Sequence, residues 1–458
     1  MPTLTAGEIA RATGGVLVAG NPSVPFTSFS TDTRSLRPGD FFFPLRGEKF
    51  DGHDFLHDAR ARGARGLVSH RDVEDLRLFD VAILVKDTTY ALQELARHVR
   101  KSNNMTVVGI TGTTGKTSTK DFTAALLGPR ALKSEGNLNN LYGLPVSLLR
   151  VTGRETYAVL EMGMSTPGEI RRLCEIASPS VGVVTNVSPV HMETMKTLGN
   201  VARAKAELLE ALPAGGLAVV NGDDPWVMRI ARRFSGRILR YGYHGANRYR
   251  AGNVRILGAG GMTFTLMVGK TRYPARARII GKHALANLLA AVAVADGLGV
   301  PIRTILGRMK RIRPVLLRGE VLRLRNGAIV LNDAYNSNPR AMEAAVEMLR
   351  MYPCRRRRIL VAGDMLELGA KSRQYHLDAG RMVGRSRLST LLTVGKQAVL
   401  FAQGARRAGF RGEIQSFDNA VQVGEFLKGY LANGDVVVIK GSRGIATERA
   451  ISVLTGGV

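Results

Sequence analysis

Cysteine and aromatic residues are scarce in this sequence. Only Cys174 and Cys354 occur among 458 residues, and they lack the paired spacing of a cysteine-ligated metal site. We therefore expect two buried or incidental thiols in a protein of the reducing cytoplasm. Phe, Trp and Tyr make up 6% of the chain. Few rings are thus available for the base stacking by which proteins bind single-stranded nucleic acid.

Long hydrophobic runs are also missing. The longest apolar stretch, residues 284–295, contains Asn287 and is too short to cross a bilayer. The first fifteen residues lack a basic segment followed by an apolar one, so no secretory signal is visible. With 458 residues, of which 45% are hydrophobic, the sequence predicts a cytoplasmic globular protein of about three domains without a transmembrane segment.

Acidic residues are few relative to basic ones. The chain has 65 Lys and Arg against 37 Asp and Glu, which gives a formal net charge of +28. Such a charge attracts nucleic acid, anionic membrane surfaces or polyanionic small substrates, and charge alone does not choose among them. The basic run Arg355–Arg358 is predicted to be a solvated rim just before a strand at 359–362.

The most informative stretch reads MTVVGITGTTGKTSTKDFTAALL (105–127). Its β-branched start, residues 106–110, predicts a buried strand. Residues 112–115 predict a tight turn, since they are small and rich in glycine. A helix is expected to begin at Lys116 and to end near Gly128.

This order of elements predicts a phosphate cradle. Small residues let backbone N–H groups approach an anion, and the new helix presents the positive end of its dipole. Lys116 adds a full charge, and Thr117 offers a hydroxyl to Mg²⁺. The spacing departs from the standard Walker pattern, since Ile110 stands where its first glycine belongs. The alternative is an ordinary strand–turn–helix joint with an accidental Gly-Lys-Thr, but the context favours binding of ATP or GTP.

Two residues that follow predicted strands are candidates for the same site. Glu161 follows an apolar strand at 157–160, and an acidic residue there is placed like a Mg²⁺ ligand. His191 lies in a loop after the strand predicted at 181–187. Ligands of parallel α/β sheets gather at the carboxyl ends of strands, so both side chains are expected near the rim that holds Lys116.

Lys205 lies on the apolar face of a predicted helix, together with Val201 and Leu208. The simple interpretation is a lysine that snorkels from the apolar edge. The alternative is a desolvated amine with a lowered pKa, open to carbamylation by CO₂ and then able to bind metal as a carboxylate. Simple alternatives exist for the other two candidates as well: Glu161 as a solvated strand-end residue and His191 as an ordinary loop histidine.

Strand and helix patterns divide the chain into three units. Residues 1–100 mix short strands and helices, residues 101–312 alternate the two as in a mostly parallel sheet, and residues 313–458 repeat that alternation. In the last unit, Asn338 is a good helix N-cap and Pro339 suits the first helical position. The predicted elements outside the central unit include strands at 41–45, 328–331, 359–362, 390–394 and 436–440 and a helix at 87–100.

Nine stretches together resemble the Mur ligases, the ATP-dependent amide-forming enzymes of peptidoglycan synthesis. They are TGTTGKTSTK (111–120), EGNLNNLYGLP (135–145), LEMGMSTPGEI (160–170), TNVSPVHMETM (185–195), ARAKAEL (202–208), GKHALANLLAA (281–291), NDAYNSNPRAM (332–342), KGSRG (440–444) and TDTRSLRPGDFFFPLRGEKFDGHDF (31–55). The resemblance covers nearly the whole chain. Within the family, DAYNSNP looks like the segment of the members that add D-alanyl-D-alanine to UDP-N-acetylmuramoyl-tripeptide. The 31–55 segment looks like the UDP-binding module that these members share with the tripeptide synthetases and that folylpolyglutamate synthetase lacks.

The resemblance implies an α/β fold with the three-domain Mur ligase architecture. Residues 1–100 would bind the UDP-substrate, and 101–312 would form a central ATP-binding P-loop domain with a parallel sheet. Residues 313–458 would form a Rossmann-like α/β domain that closes on ATP and binds the incoming dipeptide. The implied activity is an ATP-dependent ligase that acts through an acyl phosphate, with ATP and two Mg²⁺ as cofactors. We expect a monomer that binds no nucleic acid.

The resemblance also implies roles for particular residues. Lys116 and Thr117 would hold the ATP phosphates and one Mg²⁺, with Glu161 completing that metal site. His191 and a carbamylated Lys205 would hold the second metal. Further nucleotide contacts are implied for Gly112, Thr113, Thr114, Gly115, Ser118, Asn287, Arg318, Asp333, Tyr335 and Asn336. Contacts to the UDP-muramoyl-peptide are implied for Asp32, Thr33, Arg34, Arg46, Asn137, Asn139 and Asn140.

Other functions stay open. A Mur ligase that adds a single amino acid would share most of these motifs. A basic P-loop NTPase acting on nucleic acid would explain the charge, and it predicts nucleic-acid-stimulated ATP hydrolysis with steep salt dependence. A regulatory binding protein on an inactive ligase scaffold is the third alternative, against which the joint presence of the candidate metal and phosphate ligands argues.

Overall fold

The computed structural model describes residues 3–47, 50–72 and 74–456. Glu48 and Lys49, which belong to the 31–55 motif, lie outside the described residues. The described part of the chain forms three sheets of five, nine and six strands and one two-stranded pairing. None of the helices in these ranges is long and apolar enough to cross a membrane.

The N-terminal sheet has five strands in the order β2-β7-β6-β5-β4, parallel except for the β2–β7 pair. Its strands and the separate β1–β3 pair are β1 Leu4–Thr5, β2 Val16–Ala19, β3 Pro25–Phe26, β4 Phe29–Ser30, β5 Phe41–Phe42, β6 Gly66–Ser69 and β7 Val81–Leu84. The helices are α1 Ala6–Thr13, α2 Leu56–Ala61 and α3 Thr88–Lys101. The strand predicted at 41–45 ends at Phe42, since Pro44 has no N–H to continue the pairing.

The central sheet has nine strands in the order β16-β15-β14-β13-β12-β11-β8-β10-β9, parallel from β9 to β14 and antiparallel at β14–β15–β16. The strands are β8 Thr106–Thr111, β9 Ala131–Lys133, β10 Tyr157–Glu161, β11 Val181–Val184, β12 Leu217–Asn221, β13 Arg237–Gly242, β14 Tyr249–Ile256, β15 Met262–Val268 and β16 Thr271–Ala277. The helices are α4 Lys116–Leu127, α5 Gly143–Leu148, α6 Glu169–Ala177, α7 Met192–Met195, α8 Leu198–Glu210, α9 Pro225–Ala231, α10 Lys282–Gly297 and α11 Ile302–Met309.

The long apolar stretch at 284–295 forms most of α10, which is buried in the core that also includes strands β8 and β11. The side chains on its inner faces are Ala, Val and Leu, so α4 and α10 pack closely over the sheet. This explains why a helix without a polar face is stable here: it is covered on all sides. The start of α10 is thereby fixed next to the start of α4.

The C-terminal sheet has six strands in the order β17-β18-β22-β19-β20-β21, with only the β17–β18 pair antiparallel among the described residues. The strands are β17 Glu320–Arg323, β18 Ile329–Asn332, β19 Arg358–Gly363, β20 Thr390–Val394, β21 Glu413–Phe417 and β22 Val436–Lys440. The helices are α12 Pro339–Met351, α13 Ser372–Gly384, α14 Val399–Arg407, α15 Ala420–Tyr430 and α16 Glu448–Thr455. Asn338 caps α12 as predicted, since its side chain accepts the N–H of Ala341 at 2.9 Å.

The arginine run at 355–358 is only partly the solvated rim that its composition predicts. Arg355 and Arg356 are exposed, but Arg356 lies 3.5 Å from the fully buried Asp435 carboxylate, and Arg357 pairs with that carboxylate at 2.7 Å. The Arg357 guanidinium also stacks on the Tyr430 ring, 4.1 Å from its centroid. Arg357 therefore has a structural role at the amino end of the sheet.

Asp435 makes stability depend on pH. Burial alone would raise the pKa of Asp435, but hydrogen bonds from Arg357 and from the Ala432 N–H hold it below its usual value. A carboxylate of lowered pKa contributes stability above the unfolded pKa of about 3.9, and the contribution is lost as the pH falls through the folded pKa. Asp435→Asn is expected to reduce the free energy of unfolding at pH 7 by about 2–3 kcal/mol.

Denaturant unfolding of both proteins from pH 7 to pH 2 measures this effect. The difference between wild type and Asp435→Asn should shrink as the solution becomes acidic. Asp378→Asn is the matched control, because Asp378 forms an ion pair with Arg381 but its side chain is 52% exposed. Exposed pairs contribute little, so this control should stay within about 0.5 kcal/mol of wild type. A difference for Asp435→Asn that is independent of pH would contradict the account.

Candidate active site

The loop between β8 and α4 forms the tight turn that was predicted as a phosphate cradle. Gly115 precedes α4 with a φ of 83°, in the left-handed region that favours glycine. A Cβ at this position would overlap the side-chain oxygen of Asn287 on α10. Lys116 begins the helix, and its Nζ donates to the backbone oxygens of Gly112 at 2.9 Å and Thr113 at 3.3 Å. The amine thus lies folded over the loop, and burial lowers the pKa of Lys116.

Asn186 holds the cradle from the neighbouring strand. Its Oδ1 accepts the N–H of Thr114 at 3.0 Å, and its Nδ2 donates to the Thr114 backbone oxygen at 2.9 Å. Thr185 Oγ1 donates to that same oxygen at 2.7 Å. The strand predicted at 181–187 ends at Val184 because the two following side chains turn to these contacts. Asn186 was not predicted as a site residue, although a polar residue directly after an apolar strand is a signal for it.

Glu161 lies at the carboxyl end of β10, beside the cradle. It is 2% exposed, and its Oε2 accepts the Thr117 hydroxyl at 2.8 Å. Its other oxygen accepts a hydrogen bond from Asn139 Nδ2 at 2.7 Å. Arg318 donates to Thr117 Oγ1 at 3.1 Å. The Thr117 hydroxyl and the Glu161 carboxylate thus place oxygen atoms of the kind that Mg²⁺ prefers next to Arg318, whose positive charge suits a phosphate.

His191 and Lys205 lie on the same rim. Lys205 is 3% exposed, and no hydrogen bond to its Nζ occurs within the described ranges. Burial lowers the pKa of Lys205 well below its usual value, and the charge of Lys116 lowers it further. Burial also lowers the pKa of His191, against an opposing effect of Glu367. Burial thus favours the uncharged forms of both the Lys205 amine and the His191 imidazole.

The C-terminal unit supplies the opposite wall. Lys440 Nζ donates to Asp333 Oδ2 at 2.7 Å and to the Asn336 backbone oxygen at 2.9 Å. The Arg318 guanidinium lies 3.9 Å from the centroid of the Tyr335 ring. Lys440 was not predicted as a site residue, although a lysine that ends an apolar strand is unusual enough to indicate a buried partner. These contacts fix the DAYNSNP segment against the sheet.

These walls enclose one cleft of about 910 Å³ between the central and C-terminal units. Eighteen of the residues predicted from the sequence line it: Gly112, Thr113, Thr114, Gly115, Lys116, Thr117, Ser118, Asn137, Asn139, Asn140, Glu161, His191, Lys205, Asn287, Arg318, Asp333, Tyr335 and Asn336. His283 lines it as well, and its buried Nδ1 has no hydrogen-bond partner among the described residues. That nitrogen is a further candidate ligand contact that was not predicted.

Four predicted residues lie outside the cleft, in the N-terminal unit. Asp32 caps the short 3₁₀ helix Thr33–Ser35 and pairs with Arg34 at 2.6 Å. Arg46 is exposed and forms an isolated β-bridge. The N-terminal unit contacts the central unit through Gln93, whose Nε2 donates to the backbone oxygen of Leu141 at 3.1 Å. Leu141 lines the cleft. The structure therefore does not bring these four residues together with the phosphate cradle.

The φ angle at Gly115 gives a testable expectation. Gly115→Ala forces a left-handed conformation on alanine, which costs about 1–2 kcal/mol, and it displaces the Asn287 amide from the cradle. We expect affinity for ADP, measured by calorimetry, to fall at least about tenfold.

Gly168→Ala is the matched control for this substitution. Gly168 also precedes a helix, with a φ of 89°, but a Cβ there would meet nothing within 4 Å. It shares the backbone strain without the contact to the cradle, so stability should fall while affinity for ADP stays unchanged. Equal loss of ADP affinity in both variants would show that strain, and not the cradle, is responsible.

The fold and the cleft define an α/β protein in which a strand–turn–helix loop of a mostly parallel sheet faces a second α/β unit across a polar cleft. Three family profiles match the sequence: the Mur ligase middle domain at residues 110–295, the Mur ligase glutamate ligase domain at 317–443, and the Mur ligase family catalytic domain at 25–100. The chain belongs to the Mur ligase family and is a ligase. The resemblance and the fold class predicted from the sequence are thereby confirmed.

Individual relatives agree with this assignment. The UDP-N-acetylmuramoyl-tripeptide–D-alanyl-D-alanine ligase of Bacillus subtilis is 32% identical over 456 residues, covering 98% of both chains. The enzyme of that name from Escherichia coli is 34% identical over 94% of each chain. Among solved structures, MurF from Acinetobacter baumannii superposes with a TM-score of 0.90, at 27% identity over 99% of both chains. MurF from Thermotoga maritima in complex with ADP has a TM-score of 0.84, at 28% identity over 94% and 97% of the two chains.

Proposed function

We propose that this enzyme joins D-alanyl-D-alanine to UDP-N-acetylmuramoyl-tripeptide at the expense of ATP, in the last cytoplasmic step of the peptidoglycan pentapeptide precursor. The observation that carries the proposal is the convergence of the phosphate cradle, Glu161 and the DAYNSNP segment on one cleft. End-to-end relatives that bear this ligase's name support the choice of substrates. Since two of the substrates are polyanions, they also suit the net charge of +28.

The chemistry follows from the weakness of a carboxylate as an electrophile. A terminal carboxylate oxygen of the tripeptide attacks the γ-phosphorus of ATP, the bond to the β–γ bridging oxygen breaks, and ADP leaves. The product is an acyl phosphate. The amine of D-alanyl-D-alanine then attacks the acyl carbon, loses a proton, and expels inorganic phosphate. One amide, one ADP and one phosphate result from each turnover.

We assign phosphate binding to the cradle and Lys116. On nucleotide binding, Lys116 Nζ exchanges the two loop carbonyls for phosphate oxygens, which compensates the cost of its burial. Arg318 reaches the same place from the C-terminal unit through Thr117. These fixed charges and the N–H groups at the start of α4 stabilise negative charge on the transferring phosphoryl group.

The residues beside the cradle fit Mg²⁺. Thr117 and Glu161 offer hard oxygen ligands 2.8 Å apart. His191 and Lys205 would hold a second ion if Lys205 is carbamylated, which the lowered pKa of its buried amine favours. When bound, Mg²⁺ neutralises phosphate charge and orients the γ-phosphoryl group. Asn139 orients Glu161, because its amide Nδ2 donates a hydrogen bond to the second carboxylate oxygen.

The remaining predicted residues are assigned to the muramoyl-peptide and to domain closure. Asn137, Asn139 and Asn140 are proposed to contact the peptide, and Asp32, Thr33, Arg34 and Arg46 the UDP end. Asn287, Asp333, Tyr335 and Asn336 are proposed to bind the nucleotide base and ribose. We propose domains at 1–100, 101–312 and 313–458 that close as a monomer and exclude water from the acyl phosphate. We propose that the enzyme works in the cytoplasm, where ATP is available.

Product mass tests this function. Incubation with ATP, Mg²⁺, UDP-N-acetylmuramoyl-tripeptide and D-alanyl-D-alanine should give a product heavier than the tripeptide substrate by the dipeptide less one water. Omission of either substrate should stop phosphate release. Turnover driven by a free amino acid in place of the dipeptide would indicate another Mur ligase activity, and ATP hydrolysis stimulated only by nucleic acid would refute the proposal.

A further inference from the structure

Glu367, in the C-terminal unit, contacts the candidate metal ligand His191 of the central unit. Its carboxylate Oε2 lies 2.9 Å from His191 Nδ1, and its backbone oxygen accepts the N–H of Met192 at 3.4 Å. A carboxylate only accepts hydrogen bonds, so Nδ1 carries the hydrogen of this contact. In the neutral imidazole Nε2 then keeps its lone pair. His191 lines the cleft, and Nε2 is the nitrogen available to a ligand there.

The segment that carries Glu367 is anchored to the C-terminal unit by the two residues that precede Glu367. The Met365 N–H donates to His376 Nε2 at 3.0 Å, and the Leu366 N–H donates to Ser442 Oγ at 2.9 Å. The Met365 side chain is buried in the core of the C-terminal unit. Glu367 therefore lies on a fixed loop, and its carboxylate moves together with the whole C-terminal unit.

Both partners of the contact have unusual backbone conformations. Glu367 has a φ of 60° and His191 a φ of 49°, although neither is glycine. Such conformations are strained for residues other than glycine and persist only where the surroundings enforce them. They cluster at sites where a side chain must be aimed, and here two of them face each other across a domain boundary.

The contact is poorly suited to holding the units together. The Glu367 side chain is 64% exposed, and ion pairs in that environment add little to stability. A carboxylate on the nitrogen that does not bind metal has a different effect: it fixes the tautomer and the ring orientation and makes the ligating nitrogen more basic. Orientation of His191 is therefore the function that this geometry favours.

We propose that Glu367 is a positioning residue that orients His191 for metal binding, and that it does so only when the C-terminal unit lies against the central unit. The inference rests on the proposed function, in which His191 and Lys205 hold a second ion. It makes completion of that metal site depend on domain closure. Phosphoryl transfer is thereby restricted to the closed enzyme, in which water is excluded.

Binding of Mn²⁺ in the presence of ADP, followed by electron paramagnetic resonance, tests the proposal without turnover. Glu367→Gln keeps the shape but loses the carboxylate, and it should weaken the second Mn²⁺ about tenfold or more. Glu347→Gln is the matched control, since Glu347 pairs with Lys282 at 2.6 Å between α12 and α10. It removes an ion pair between the same two units without touching His191, and Mn²⁺ affinity should not change.

Each outcome decides between the proposals. Two Mn²⁺ in the wild type with unchanged affinity in Glu367→Gln would overturn the role of Glu367 and leave the proposed function intact. Equal weakening of Mn²⁺ binding in both variants would also overturn the role of Glu367, because the loss of any ion pair between the two units would then explain the effect. A wild type that binds a single Mn²⁺ with ADP would refute the second metal site and this inference together. Thermal unfolding of both variants within about 1 °C of wild type would exclude a loss of folding as the cause.

Discussion

Replacement of Lys116 by alanine is expected to reduce turnover at least about 10³-fold. The Lys116 amine is assigned as the cationic group of the phosphate cradle, and it donates to the loop carbonyls of Gly112 and Thr113. Loss of one preorganised charge at a transferring phosphoryl group removes stabilisation that develops in the transition state, so kcat should fall more than ATP binding.

Phosphate release under saturating substrates measures this effect. Lys101→Ala is the control, since Lys101 is an exposed residue at the end of α3 that lies outside the cleft. Lys101→Ala lowers the net charge of the protein by the same amount as Lys116→Ala, and its kcat should equal that of wild type. Turnover of Lys116→Ala near the wild-type rate would refute the assignment of the cradle.

Replacement of Lys205 by alanine is expected to lower kcat about 100-fold or more, which corresponds to about 2.7 kcal/mol in the barrier. The side chain is 3% exposed and its amine has a lowered pKa, as carbamylation by CO₂ requires. Short carboxylic acids such as formate or acetate should restore part of the lost activity, because they can occupy the space of the carbamate and supply its oxygens. The rescue should saturate as the acid concentration rises.

A carbamate and a simple structural lysine differ in their response to these acids. Lys116→Ala serves as the control, since its missing group is a cation and no acid should rescue it. Absence of rescue in Lys205→Ala at every acid concentration, with the variant still folded, would contradict a carbamate at this position.

The cleft could be predicted from the sequence to the extent that its residues follow local rules. The cradle is a contiguous stretch in which strand, turn and helix signals coincide, so its strand, turn and helix could be placed from the residues alone. Glu161 was found because an acidic residue ended an apolar strand. Asn287 and Tyr335, in contrast, entered only through the resemblance to Mur ligases, since nothing in their local pattern distinguishes them from ordinary helix and loop residues.

The residues that sequence reasoning missed depend on tertiary contacts. Asn186 holds the cradle from a strand that is about 70 residues away in the sequence, and the predicted strand was too long because such contacts are invisible to periodicity. Arg357 belongs to a charged run, yet its buried partner Asp435 is far along the chain. Glu367 lies in a loop of the C-terminal unit, and only the packing of two units brings it to His191.

The most direct test of the account follows the oxygen atoms of the reaction. If a tripeptide substrate labelled with ¹⁸O in its terminal carboxylate is converted in the presence of ATP and D-alanyl-D-alanine, the attacking oxygen passes to the phosphoryl group. The account predicts that the inorganic phosphate released carries one ¹⁸O atom from the carboxylate and that the amide keeps the other. Phosphate without label would show that the carboxylate is never phosphorylated, and this would contradict the acyl-phosphate mechanism assigned to the cleft.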